Sequence, residues 1–183
     1  MADIYLILGG ARSGKSSFAE RFFQKQFPHG GIYLSTAYAC DEEMQQRINH
    51  HKLQRTRSGY LWQLIENTDV CTALKQYSTT PILLDCLTIG LSNLLWQKDN
   101  YSEMNTIALA FREELSEALS ARKMPVVIVS NEVGLGVIPE SLLGRVFIDE
   151  IGRLHQMIGR LAKEVFMVSA GIPIALKANQ FNF

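Results

Sequence analysis

The chain has 183 residues, which is enough for one domain that buries a sizeable core without metal or disulfide support. Its 18 basic and 18 acidic residues give zero formal net charge, which argues against a nucleic-acid-binding protein and favours small anionic ligands. Three widely spaced cysteines without a C-x-x-C pair, no opening signal sequence and no apolar run near the roughly 18 residues that span a bilayer predict a cytoplasmic protein without a zinc site.

Short apolar runs alternate with longer amphipathic stretches along the chain, which is the pattern of a mostly parallel sheet flanked by helices. We predict strands at residues 3–8, 31–36, 62–66, 81–85, 125–130, 164–169 and 173–177. The predicted helices cover residues 16–27, 41–55, 102–122 and 145–163. The sequence therefore indicates a single α/β domain at residues 1–177, with a short C-terminal tail at residues 178–183.

The first predicted strand leads directly into a phosphate-binding loop, or P-loop, that fits G-x-x-x-x-G-K-[ST]. The loop consists of Gly9, Gly10, Ala11, Arg12, Ser13, Gly14, Lys15 and Ser16. Its glycines allow successive backbone N–H groups to face one phosphate, and the following helix adds the positive end of its dipole. In this arrangement Lys15 would reach the β- and γ-phosphates, and the Ser16 hydroxyl would bind Mg²⁺.

The predicted helix 41–55 carries titratable residues at intervals of four, which places them on one face. They are Glu43, Arg47, His51 and Arg55. Two flanking guanidiniums disfavour a cationic imidazole, so His51 would stay neutral and nucleophilic, as attack on phosphorus requires. The alternative is a solvated helix face whose charges pair with each other.

Carboxylates follow or end three predicted strands. Asp85 ends an apolar strand and would hold Mg²⁺ directly or through water. Glu66 and Glu132 could face a base, a sugar or a nucleophile, or could simply cap strand ends. Ligands of open α/β sheets bind outside the carboxyl ends of the strands, so the predicted loop 131–143 lies on the same rim as the P-loop.

Six motifs follow one another in a fixed order from residue 4 to about residue 177. They are GGARSGKS at 9–16, R-I-x-x-H at 47–51 with Arg55 beyond it, W-x-x-x-E at 62–66, LLDCLT at 83–88 with SNLL at 92–95, SNEVGLGVIPE at 130–140 and F-x-D-x-x-G-R-x-x-Q at 147–156. In this order they resemble the adenosylcobinamide kinase / adenosylcobinamide-phosphate guanylyltransferase family.

The resemblance implies a bifunctional enzyme with a RecA-like P-loop fold. Such an enzyme phosphorylates the aminopropanol hydroxyl of adenosylcobinamide and then transfers GMP from GTP to that phosphate, releasing pyrophosphate. The transfer passes through a GMP-histidine intermediate, which the motif places at His51. The resemblance further implies Mg²⁺ as cofactor, GTP or ATP as phosphate donor and a homotrimer.

The resemblance also implies roles for individual residues. His51 and Lys15 would be catalytic, and Ser16 and Asp85 would hold the metal. Because the helix with His51 lies outside the nucleotide core, we expect it to move when GTP binds and to bring the imidazole toward the α-phosphorus. Besides the P-loop, the implied nucleotide contacts are Ser35, Thr36, Ala37, Lys52, Leu53, Gln54, Arg55, Glu66 and Asp85. The general base of the kinase step is open, with Glu132 and Asp85 as candidates.

The chain departs from the family pattern in the spacer between Arg55 and Trp62, which is about three residues longer than usual and lacks proline. His155 stands where asparagine is common before Gln156, and we expect this change to leave the chemistry unaffected. Two other interpretations stay open from the residues alone. One is a P-loop kinase for another small alcohol with His51 as a phosphate clamp, and the other is a module that senses GTP without turning it over.

Overall fold

The protein contains a seven-stranded sheet. A computed structural model describes residues 2–37, 42, 46, 53, 55, 56, 58–96, 98 and 100–177. The strands are β1 (Ile4–Gly9), β2 (Gly31–Ser35), β3 (Trp62–Ile65), β4 (Ile82–Asp85), β5 (Val126–Asn131), β6 (Glu164–Ser169) and β7 (Ile172–Lys177). All seven predicted strands are confirmed, each within one residue at either end.

The strand order is β3-β2-β4-β5-β1-β6-β7, so β1 lies inside the sheet between β5 and β6. Every neighbouring pair is parallel except β6 and β7, which form an antiparallel hairpin. The side chains of β1 are buried along its whole length, as is usual for a parallel strand covered on both faces. The parallel arrangement brings the carboxyl ends of β1, β2, β4 and β5 to one rim.

Five helices have described bounds. They are α1 (Lys15–Gln26), α2 (Val70–Gln76), α3 (Leu87–Leu95), α4 (Tyr101–Ala121) and α5 (Leu142–Leu161). The predicted helices 16–27, 102–122 and 145–163 are confirmed as α1, α4 and α5. Of the predicted helix 41–55, the residues that the structure describes, Glu42, Gln46, Leu53 and Arg55, are helical.

Helices α2 and α3 were not predicted from the sequence, for a different physical reason in each case. Helix α2 has only seven residues and depends on its cap, since the Asp69 side chain accepts a hydrogen bond from the Thr72 N–H. Helix α3 is largely buried and has few polar residues, so it lacks the alternating faces that identify a surface helix. The predicted loop 131–143 is correspondingly shorter, because Asn131 ends β5 and Leu142 begins α5.

The two faces of the sheet are covered differently. Helices α2 to α5 pack an aliphatic core on one face. On the other face, α1 contributes aromatic side chains that pack with rings from the start of β3, including Phe23 against Trp62 with centroids 4.9 Å apart. Trp62 in turn lies edge-on to Tyr33 of β2. This aromatic cluster fixes the P-loop helix over the strands whose ends form the rim.

Among the helices described here, none combines the length and apolar character needed to cross a bilayer.

Candidate active site

The P-loop connects β1 to α1 and curls back on itself. Gly9 ends the strand and Lys15 begins the helix. The Ser13 N–H donates to the Gly10 carbonyl at 3.3 Å, and the Lys15 Nζ donates to the same carbonyl at 3.2 Å. Gly14 caps the helix with φ of 91°, a left-handed conformation that side chains disfavour. The loop therefore has the tight turn that sequence analysis predicted for phosphate binding.

Glycine at position 9 is required by space. An added Cβ would lie 2.5 Å from the Ser13 Oγ and 2.6 Å from the Val168 carbonyl oxygen. At Gly10, by contrast, an added Cβ would meet nothing within 4 Å. The first glycine thus allows close packing between the strand, the loop and β6, and the second lies in an open part of the loop.

Two neighbouring segments hold the P-loop by backbone hydrogen bonds. The Gly171 N–H, in the turn between β6 and β7, donates to the Ser13 carbonyl at 2.8 Å. The Glu132 N–H, directly after β5, donates to the Gly9 carbonyl at 3.1 Å. This second contact places the loop after β5 on the same rim as the P-loop, as predicted.

Asp85 ends β4 with a half-buried carboxylate. The Tyr33 hydroxyl donates to its Oδ2 at 2.6 Å, which fixes the orientation of the carboxylate. Carboxylate and hydroxyl oxygens are the ligands that Mg²⁺ prefers, and Ser16 offers a hydroxyl in the first turn of α1. The donor types at the end of β4 and the start of α1 therefore fit a magnesium ion.

Arg55 joins this carboxylate to the P-loop helix. Its guanidinium lies 3.9 Å from the centre of the Tyr33 ring, and its Nη1 lies 3.9 Å from the Glu20 Oε1. Arg55 is only 8% exposed, so the sequence-predicted nucleotide contact lies packed between protein side chains. We call Glu20, Tyr33, Arg55 and Asp85 the Tyr33 cluster.

The pKa of Glu20 is raised to about 7, chiefly because the carboxyl is buried; the charge of Arg55 opposes this shift and the charge of Asp85 adds to it. Neither Glu20 nor Tyr33 was predicted from the sequence, although the spacing of each from a predicted site residue could have identified it. Glu20 lies four residues after Ser16 and so shares its helix face, and Tyr33 lies two residues before Ser35 and so shares its strand face.

Thr36 follows β2 and braces the ends of two strands. Its Oγ1 donates to the Cys86 carbonyl at 2.7 Å and accepts from the Cys86 N–H at 2.9 Å. The Asn93 side chain donates to the Thr36 carbonyl at 3.1 Å, which gives the SNLL motif a structural role. Ser35 is buried beside Thr36, and Ala37 is half-buried.

The other predicted contacts are more widely placed. Glu66 follows β3 at the outer edge of the sheet, and Leu53 is helical and 58% exposed. The predicted nucleophile and its neighbours, His51, Lys52 and Gln54, lie outside the described residues, as does Arg47.

A second group of polar side chains surrounds the end of β5. The His155 Nε2 lies 2.7 Å from the Ser130 Oγ, and its Nδ1 lies 3.9 Å from the Glu132 Oε2. Burial lowers the pKa of His155, and the charge of Glu132 opposes the shift. His155, a change that we expected to leave the chemistry unaffected, contacts Ser130 near the end of β5 and faces a candidate base.

Comparison with solved structures supports the fold. The chain resembles the flagellar accessory protein FlaH from Methanocaldococcus jannaschii with a TM-score of 0.50 and 15% identity, covering 97% of this chain and 79% of that chain. It resembles a second solved structure, an ATPase domain, with a TM-score of 0.53 and 14% identity, covering 90% of this chain and 68% of that chain. With the mostly parallel sheet, these matches confirm the predicted RecA-like P-loop fold class.

Comparison of sequences is more specific. A family model described as cobinamide kinase / cobinamide phosphate guanyltransferase matches residues 5–176. The chain is 38% identical over 178 residues to the bifunctional adenosylcobalamin biosynthesis protein CobP of Pseudomonas aeruginosa, covering 94% of this chain and 96% of the relative. It is 35% identical over 183 residues to the bifunctional adenosylcobalamin biosynthesis protein CobU of Escherichia coli, covering 94% and 98%. The resemblance found in the motifs is thereby confirmed, and the chain belongs to the cobinamide kinase / cobinamide phosphate guanyltransferase family of cobalamin biosynthesis.

Proposed function

We propose that this protein phosphorylates adenosylcobinamide and then transfers GMP from GTP to adenosylcobinamide phosphate, giving adenosylcobinamide-GDP and pyrophosphate. The observation that carries the proposal is one rim on which the P-loop lies beside the ends of β4 and β5, in a chain whose family is named for both reactions. Within the proposal the protein is a cytoplasmic homotrimer.

In the kinase step, the P-loop N–H groups and Lys15 would hold the triphosphate, with Lys15 at the β- and γ-phosphates. Ser16 and Asp85 would hold Mg²⁺, which offsets negative charge on the phosphates when it is bound. The acceptor is a hydroxyl oxygen, which forms a bond to the γ-phosphorus as the bond to the leaving nucleoside diphosphate breaks.

In the transfer step, a neutral His51 would attack the α-phosphorus of GTP. A nitrogen–phosphorus bond forms as the bond between the α-phosphorus and the α,β-bridging oxygen breaks, and pyrophosphate leaves. An oxygen of the corrinoid phosphate then displaces the imidazole, which leaves readily once it is protonated. Phosphoramidate chemistry suits this route because GMP is held covalently without forming a stable ester.

The remaining nucleotide contacts of the proposal are Ser35, Thr36, Ala37, Lys52, Leu53, Gln54 and Glu66. Because the Thr36 hydroxyl already donates and accepts within the protein, we assign it to shaping the pocket wall. Arg55 would act on the nucleotide through the Tyr33 cluster, in which it is already packed.

The test is covalent labelling of the protein with GTP carrying a radioactive α-phosphate, in the presence of Mg²⁺. The expected result is label that is stable in alkali and lost in acid, as for a phosphoramidate, and absent from His51→Ala. The adjacent His50→Ala is the matched control and should keep the label. Label that persists in His51→Ala, or a wild-type protein that binds GTP and transfers only the γ-phosphate, would contradict the transferase half.

A further inference from the structure

The two proposed reactions differ in the acceptor that they use. The kinase step needs an alcohol oxygen, whose proton must be removed as the bond to phosphorus forms. The transfer step uses a phosphate oxygen, which is already anionic near neutral pH and needs no base. A general base would therefore serve one reaction and leave the other unaffected, a consequence that rests on the proposed function.

Two carboxylates at the rim are candidates for this base, and their surroundings separate them. Asp85 accepts a hydrogen bond from the Tyr33 hydroxyl at 2.6 Å and belongs to the Tyr33 cluster. Asp85 is also one of the two proposed ligands of Mg²⁺. Glu132 directly follows β5, the strand between β4 and β1, and its N–H is bonded to the Gly9 carbonyl at the start of the P-loop. Glu132 is thus next to the loop that would hold the phosphates, and it is not itself one of the proposed metal ligands.

The carboxylate of Glu132 is held in one orientation. Its Oε1 accepts a hydrogen bond from the Gly134 N–H at 2.7 Å. Its Oε2 faces the His155 Nδ1 at 3.9 Å, beyond hydrogen-bond distance, and accepts no hydrogen bond from the part of the chain that the structure describes, so it can accept one from a substrate hydroxyl. With 21% of the side chain exposed, the carboxylate is reachable from the rim.

Ser130 determines how His155 faces this carboxylate. Ser130 is fully buried, and its Oγ lies 2.7 Å from the His155 Nε2. If the serine hydroxyl donates to Nε2, the ring proton of the neutral imidazole is on Nδ1 and points toward the Glu132 oxygen. The opposite tautomer would place the Nδ1 lone pair against a carboxylate, which is unfavourable. Burial also lowers the pKa of His155 and so favours the neutral ring.

We propose that Glu132 is the general base of the kinase step and that His155, oriented by Ser130, is a positioning residue for it. The proton of the acceptor hydroxyl passes to the Glu132 Oε2 while the oxygen bonds to the γ-phosphorus. The bond from the γ-phosphorus to the β,γ-bridging oxygen breaks, and the nucleoside diphosphate leaves. Glu132 then releases its proton to solvent.

The decisive variant is Glu132→Gln, which keeps an oxygen for the Gly134 N–H and removes the basic carboxylate. Two assays are compared, adenosylcobinamide with ATP or GTP and adenosylcobinamide phosphate with GTP. The kcat of the kinase assay should fall about 100-fold or more, while the kcat of the transferase assay changes by less than about threefold. Asp85→Asn is the contrasting variant and should lower both rates, because both reactions would use the metal.

The positioning role predicts a smaller and equally selective effect. His155→Ala should lower the kcat of the kinase step by about tenfold with little change in KM for the nucleotide. His155→Asn, whose amide N–H can occupy the place of the Nδ1–H, should restore most of the lost rate. A purely structural role of His155 would instead lower both reactions together, in step with loss of folded protein.

Several results would overturn the assignment. A folded Glu132→Gln protein that phosphorylates adenosylcobinamide at the wild-type rate would show that the carboxylate only caps the loop. An equal loss in both assays, with GTP binding and melting temperature unchanged, would also exclude a base specific to the kinase step. If Glu132→Gln does not fold, Glu132→Asp gives the same comparison, since a shorter carboxylate should slow only the kinase step. Absence of both reactions in the wild-type protein would instead reject the proposed function itself.

Discussion

The guanidinium of Arg55 stacks on the ring of Tyr33, with 3.9 Å between the Arg55 Cζ and the ring centre. The hydroxyl of the same ring donates to Asp85 at 2.6 Å, so one aromatic side chain connects a buried cation to the carboxylate at the end of β4. The ring and the hydroxyl can be separated by mutation, because phenylalanine keeps the first and removes the second.

Tyr33→Phe should preserve the stacking of Arg55 and release Asp85. We expect the Mg²⁺ concentration that gives half-maximal activity to rise several-fold, and the free energy of unfolding to fall by about 1 kcal/mol through loss of one hydrogen bond. Activity measured against Mg²⁺ concentration checks the first effect, and urea denaturation checks the second. Tyr60→Phe is a matched control, because its hydroxyl donates to the Phe27 carbonyl away from Asp85 and should affect stability alone.

Glu20 should make stability depend on pH. Its pKa is raised from 4.5 to about 7 in the folded protein, so the folded state keeps a proton that the unfolded chain releases between these values. The free energy of unfolding should therefore fall as pH rises through this window, by at most about 3 kcal/mol from this one group, and by less because solvent screens a partly exposed carboxylate. Urea denaturation of nucleotide-free protein at pH 5 and pH 8 should show a shallower decline in Glu20→Gln than in wild type. Identical slopes for the two proteins would contradict the prediction.

Arg122 should be a stability residue without a catalytic role. Its guanidinium is buried at 3% exposure and donates to three backbone carbonyls, those of Leu74, Thr80 and Met124. Arg122→Met leaves these carbonyls without their donor and should lower the free energy of unfolding by about 3 kcal/mol, with kcat and KM unchanged for the remaining folded protein. The exposed Arg21→Met should alter neither, and an equal loss of stability in both variants would count against the buried contacts.

The first two glycines of the P-loop should tolerate alanine very differently. Gly9→Ala introduces a carbon 2.5 Å from the Ser13 Oγ, so we expect a loss of roughly 2 kcal/mol in stability and a weaker affinity for GTP. Gly10→Ala has free space, and its melting temperature without nucleotide should stay close to that of wild type. Thermal unfolding of the two variants side by side measures the difference, and similar melting temperatures would disprove it.

The strands and the P-loop were predictable because their signals are local. A buried parallel strand such as β5 is a continuous run of apolar residues, and the P-loop has fixed glycine spacing. Helix α3 was not predictable in this way, since its burial removes the polar face that marks most helices. Hydrophobic periodicity identifies helices that have one buried and one exposed face, and it fails for a helix such as α3 that is buried on most sides.

The candidate site was only partly predictable for a different reason. Asp85 follows an apolar strand and was recognisable from the sequence, whereas its partner Tyr33 lies 52 residues earlier and is brought to it by pairing of β2 with β4. His155 was interpreted as a neutral change because its contact with Ser130 depends on the packing of α5 over β5. Contacts between distant residues follow from strand order, which local patterns do not encode.

The turn of the β6–β7 hairpin packs against the P-loop. A single peptide hydrogen bond joins Gly171 to Ser13, and a Cβ added at Gly14 would lie 3.1 Å from the Gly171 Cα. Lengthening this turn by one residue would remove the contacts of Gly171 with the P-loop. The inserted residue would be far along the chain from every carboxylate of the site. An insertion in the β6–β7 turn should thus weaken the affinity for the triphosphate, although it replaces none of the proposed nucleotide contacts.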